Sequence, residues 1–165
     1  MSATDEAPER EVIALTEPAD SVPDVIADPA EIPAVAARLA AGTGPIAADA
    51  ERASGFKYGQ DTYLVQLRRA GVGTLLIDSA ACPDLSALAE AAGEAEWVLH
   101  AASQDLPGFR DLGRAPAKVY DTELAARLLG WPKVGLAAVV EHVLGLRLAK
   151  EHSAQDWSTR PLPHA

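Results

Sequence analysis

Two acidic residues two positions apart, in Asp49-Ala50-Glu51, open the case for chemistry in this chain. On a β-strand, side chains two positions apart project from the same face, so both carboxylates can meet at one point. Two hard oxygen ligands on a common face are what a Mg²⁺ or Mn²⁺ site requires. The same triplet also suits a solvated strand edge, so it needs company. A second candidate lies in His100-Ala101-Ala102-Ser103-Gln104-Asp105. There an apolar strand runs into a small-residue turn and an acid at the start of a helix. Ser103 could cap that helix, and its dipole would favour an ionised Asp105. Asp105 could equally serve the cap alone.

Two further stretches complete the set. In Tyr120-Asp121-Thr122-Glu123, Asp121 or Thr122 can cap the helix that follows, a structural duty. Beyond Lys150, the segment Asp156-Trp157-Ser158-Thr159-Arg160-Pro161-Leu162 combines an indole and a guanidinium in irregular chain. Trp157 could stack a base while Arg160 and Lys150 hold phosphates. Alternatively Trp157 packs on the sheet and Arg160 pairs with Asp156. His100 is a further candidate for substrate contact. His142 and His152 have no partner set by spacing, and Cys82 has no paired histidine.

The elements that must position these residues follow from periodicity. Ile32, Val35, Ala36 and Leu39 recur at i, i+3, i+4 and i+7, one face of a helix that Gly42 can end. Residues 45–50, 63–67 and 74–77 read as strands, the last two joined by a hairpin turn at Ala70-Gly71-Val72-Gly73. A helix over 84–92, a buried strand over 97–100 and a helix opening near Asp105 come next. A short strand at Val119-Tyr120 and helices over 122–129 and 136–144 follow, the last stopping at Gly145. This order predicts an α/β fold, a mixed sheet with helices on its faces. Residues 1–28 mix acids with Pro8, Pro18 and Pro23 and read as an acidic, mostly disordered leader, with Val12, Ile13 and Leu15 able to dock as an edge strand. The domain proper is expected over 29–165.

Composition narrows the class of function without fixing it. A chain of 165 residues with 48% hydrophobic content can bury a core as one domain. A single cysteine excludes an internal disulfide framework and a cysteine-rich zinc site. The first ten residues have no apolar core, so no signal peptide is expected, and no apolar run suits a membrane span. A cytoplasmic protein with no membrane and no implied protein partner is the expectation. The net charge is −10, but residues 1–31 hold nine acids against one base. Most of the negative charge therefore lies outside the domain, and composition neither supports nor excludes a nucleic-acid partner.

Taken in series, Asp49 through Gly55, Trp97 through Leu106, Tyr120 through Gly130 and Asp156 through Leu162 resemble the RNase D family. The resemblance is to its DEDD-type exonuclease domain, in a form like that of high-GC Gram-positive bacteria, and spans about residues 32–162. It implies a ribonuclease H-like fold and removal of nucleotides from RNA 3′ ends, as in tRNA maturation. It also implies two cations about 4 Å apart. By resemblance Asp49 and Glu51 form the first motif, ligating metal, and Asp105 is the acid of the second. The family's third motif, a tyrosine followed four residues later by an aspartate, should come soon after Arg160-Pro161-Leu162. The sequence reaches only Pro163-His164-Ala165. The expectation is therefore a domain without its last helical segment and with impaired turnover. The other readings are an inactive nucleic-acid-binding or scaffolding fragment, and a DNA-directed exonuclease of the same superfamily.

Overall fold

The computed structural model describes residues 12–16, 18–53, 61–113, 116–149 and 156–162. Its centre is a six-stranded mixed sheet in the order β2-β5-β4-β3-β6-β7. Here β2 is Val25–Ile26, β3 Thr43–Arg52, β4 Thr62–Ala70, β5 Gly73–Asp78, β6 Glu96–Leu99 and β7 Lys118–Asp121. The strands β3, β4 and β5 form an antiparallel meander, while β6 runs parallel to β3 and β7 parallel to β6. Gly71 and Gly73, at φ +81° and +83°, supply the left-handed backbone that the β4–β5 turn requires.

One face of this sheet is closed. Helix α1 (Ile32–Ala41) buries Ile32, Val35, Ala36 and Leu39, the four residues its periodicity singles out. With α2 (Ser86–Ala92) it covers Ile46, Ala50, Val65, Leu67, Leu75 and Ile77. Phe109 of α3 (Leu106–Asp111) packs edge-on against Trp97, ring centroids 5.3 Å apart. Alternation along each strand then sends the intervening side chains to the opposite face. There Asp49, Gln66, Arg68, Thr74, Leu76 and Asp78 line a groove of about 1050 Å³, walled by parts of residues 18–27 and by Trp157, Arg160, Pro161 and Leu162.

Beyond β7, α4 (Thr122–Leu128) and α5 (Leu136–Leu144) sit beside each other with little of their apolar surface covered. Leu124, Leu128, Leu136, Val143 and Leu144 are exposed.

Part of the expected leader is strand, including the stretch around Ile13 and Leu15 that could dock as an edge strand. Residues 1–11 lie outside the described residues, but Ile13–Leu15 forms β1, paired parallel with β8 (Leu146–Leu148). Val25–Ile26 adds the edge strand β2 to the main sheet beside β5. A two-residue strand between aspartates is too short to carry a period. It forms because β5 offers a free edge of backbone donors and acceptors.

Candidate active site at the end of β3

Asp49 and Glu51 stand on the open face of β3, as strand alternation requires, opposite Gln66 and Leu64 of β4. The Gln66 side-chain amide bridges them, with Nε2 3.4 Å from Asp49 Oδ2 and 3.4 Å from Glu51 Oε1. Between Glu51 and Arg52 the β3–β4 register shifts. Such a break re-aims the next side chain. The Arg52 guanidinium reaches Asp105 Oδ1 at 3.5 Å.

Asp105 arrives from β6 and α3. Its residue is the N-cap of α3, yet its carboxylate makes no cap bond. Ser103, the expected cap, holds no such position. Asp105 is buried, with 7% of its surface exposed. The turn that delivers it contains Ala101 at φ +56°, a left-handed backbone that costs a non-glycine residue roughly 1–2 kcal/mol.

The three carboxylates act on one another. Burial first, then the charges of Asp49 and Asp105, pushes Glu51 up to about 7. Burial and the charge of Asp49 raise Asp105 to about 6, against the opposing pull of Arg52. Asp49 is open to solvent along the groove, but the protein atoms crowding its carboxyl still raise its pKa. The Ala50 N–H, Arg52 and His100 partly offset that rise. Among the described residues, no three acidic, histidine or cysteine side chains close tightly enough to enclose an ion. Gln66 and Arg52 occupy the carboxylates instead. The donor set nevertheless suits a hard divalent cation: oxygen ligands only, part-buried, with like charge that Arg52 relieves only in part and such an ion would neutralise.

His100, at the end of β6, has Nδ1 2.9 Å from Thr122 Oγ1. That hydroxyl donates its single proton to the Leu99 carbonyl at 3.1 Å. With that proton committed to the carbonyl, Nδ1 is the donor to Thr122, and Nε2 is left for another contact.

The remaining candidates part company. Trp157 is half-buried and lines the groove that also holds Asp49. Arg160 turns inward: it pairs with Asp78 at 2.6 Å, donates to the carbonyls of Trp157 and Thr159, and lies 5.8 Å from the centre of the Tyr63 ring. The expected pairing with Asp156 is replaced, because the sheet end presents the buried Asp78 while Asp156 binds Ser158 in its own turn. Lys150 lies outside the described residues.

The sequence reading passed over Gln66 and Arg52. Gln66 left a signal, being the polar residue among Leu64, Val65 and Leu67 and in phase with the open face. Arg52 left none, because the shift in register sets its direction.

A 3′-5′ exonuclease family model matches residues 23–165, and the chain belongs to that family. It is similar to a ribonuclease D of Psychromonas ingrahamii, 32% identical over 120 residues, covering 72% of this chain and 32% of that protein. A crystal structure of a protein from Bifidobacterium adolescentis superposes with a TM-score of 0.88 at 52% identity, over 93% of this chain and 38% of that one. Escherichia coli RNase D, described as an exoribonuclease involved in structured RNA processing, superposes at 0.70 with 30% identity, over 85% of this chain and 38% of its own. The domain is thus a 3′-5′ exonuclease domain of the RNase D type with a ribonuclease H-like fold. The chain spans only 32–38% of the length of these three relatives.

Proposed function

We propose that the protein removes nucleotides from the 3′ ends of RNA by metal-assisted phosphodiester hydrolysis, with structured RNAs such as tRNA precursors as substrates. The observation that carries this reading is the gathering of Asp49, Glu51 and Asp105, from two separate elements, at one end of the sheet. These three carboxylates would hold Mg²⁺ or Mn²⁺, in the two-cation arrangement of the family. When bound, the metal supplies an activated water and neutralises charge on the phosphate. Gln66 holds the first two side chains facing one another. Trp157, on the groove wall, offers a stacking surface to the terminal bases. His100, held at Nδ1 by Thr122, leaves Nε2 for a substrate contact, and Lys150 is kept as a phosphate contact. The ribonuclease D relatives support RNA over DNA, and the site is assigned to the cytoplasm.

The test uses full-length protein, a 5′-labelled RNA with a single defined 3′ end, and Mg²⁺ or Mn²⁺. A one-nucleotide ladder growing from the 3′ end, absent with EDTA and in Asp49→Asn, is the expected result. Internal cuts, or turnover indifferent to both changes, would overturn the reading. Equal trimming of DNA would transfer it to a DNA-directed enzyme, and tight binding without turnover would leave an RNA-binding domain.

A further inference from the structure

The carboxylate of Asp121 does more than cap α4. Its Oδ1 accepts from Glu123 N at 2.9 Å and Leu124 N at 3.2 Å, the expected cap. The same Oδ1 accepts from Ala101 N at 3.1 Å, and Oδ2 from Ala102 N at 2.9 Å. Four backbone donors, two from residues 101–102 and two from the start of α4, thus converge on one side chain. Residues 101–102 lie in the turn between β6 and α3, where Ala101 holds a positive φ.

That turn is continuous with the site. The Ala102 carbonyl accepts from the Asp105 and Leu106 amides at 3.2 and 3.0 Å. The Asp105 backbone is therefore two hydrogen bonds from the Asp121 carboxylate. Next door, Thr122 grips the same turn from its other end, through the Leu99 carbonyl and His100 Nδ1. Parallel pairing of Leu99 with Asp121 sets both grips in register.

We infer that Asp121, assisted by Thr122, is a positioning residue: it clamps the 99–102 turn so that Asp105 and His100 are presented to the site with fixed geometry. The inference rests on the reading of Asp105 as a metal-holding carboxylate. An uncharged helix cap would satisfy α4 alone. An ionised carboxylate can serve both segments, since it offers acceptor capacity at two oxygens and favours donors gathered around a charge.

The experiment compares three variants of the full-length protein. Asp121→Asn leaves one acceptor oxygen of two. Thr122→Val keeps side-chain shape and removes the second grip. Glu123→Ala removes the Arg127 ion pair on α4 and leaves the turn alone. Hydrogen exchange of the residue 101–106 amides reads the clamp, and Mn²⁺ titration without RNA reads the site. Asp121→Asn should speed exchange in the turn at least tenfold and weaken Mn²⁺ binding about tenfold. Thr122→Val should do the same to a smaller degree, so the proposal remains testable if Asp121→Asn fails to fold. Glu123→Ala should change neither. Wild-type exchange and Mn²⁺ affinity in Asp121→Asn and Thr122→Val, with a lower melting temperature alone, would reduce both to helix caps and overturn the proposal. A wild-type protein that binds no Mn²⁺ would sink the metal reading itself, while the exchange data would still report whether the clamp exists.

Discussion

Gly108 stands where α3 crosses β4, and replacing it by alanine isolates one contact that the site depends on. A Cβ added there would lie 2.3 Å from Thr62 Oγ1 and 3.6 Å from Thr62 Cβ. Thr62 is buried, and its hydroxyl has no hydrogen-bond partner among the described residues. Gly108 is helical with negative φ, so by propensity alone alanine should stabilise α3 by up to about 1 kcal/mol. A carbon–oxygen approach of 2.3 Å is about 1 Å inside contact distance, and Thr62 is β-branched, with little freedom at χ1. Overpacking of this kind costs about 1–3 kcal/mol. The net expectation for Gly108→Ala is a loss of about 1–2 kcal/mol, or a Tm lower by roughly 2–8 °C at this chain length. Urea unfolding followed by circular dichroism measures it. Because Asp105 stands three residues before Gly108, any retreat of α3 also draws that carboxylate from the site, and trimming should fall with stability. In the double variant with Thr62→Ala the obstructing oxygen is gone, and most of both losses should return. A Gly108→Ala protein more stable than wild type would refute the close approach of α3 to β4.

Other perturbations test the electrostatics and the staples. Glu51→Gln should abolish trimming yet stabilise the metal-free protein by about 1 kcal/mol, because it removes a carboxylate that burial and two like charges hold near pKa 7; thermal melts in EDTA read the sign. Arg160→Ala should cost about 1–3 kcal/mol, since Asp78, 6% exposed at its side chain, loses its cation while keeping the Ala80 and Ala81 amides. Limited proteolysis should then open the 156–162 segment first. Burial pushes the Asp121 carboxyl up, but four backbone donors together outweigh it and hold the pKa below its ordinary 3.8. Its contribution is thus present above about pH 4 and lost as pH falls through the lower folded value. Acid titrations should show a shallower stability loss below pH 4 in Asp121→Asn than in wild type.

What the sequence determined by itself is local and periodic. The apolar spacing of α1 names its four buried residues, and Gly71 with Gly73 places the β4–β5 turn. Asp49 and Glu51 share a face because alternate residues on any strand do. These features need only a few neighbouring residues and a backbone period, which is why they were legible. What tertiary structure decided is the choice of partners between distant residues. Arg160 takes Asp78, 82 positions away, over Asp156 nearby. Asp105 gives up its cap for Arg52 across 53 positions. Val25 and Ile26 become a strand because β5 leaves an edge free. A short polar or charged side chain can satisfy itself in many ways with little difference in energy, and the sequence does not rank them. The packed sheet does, by fixing which donors and acceptors are desolvated together and therefore must pair.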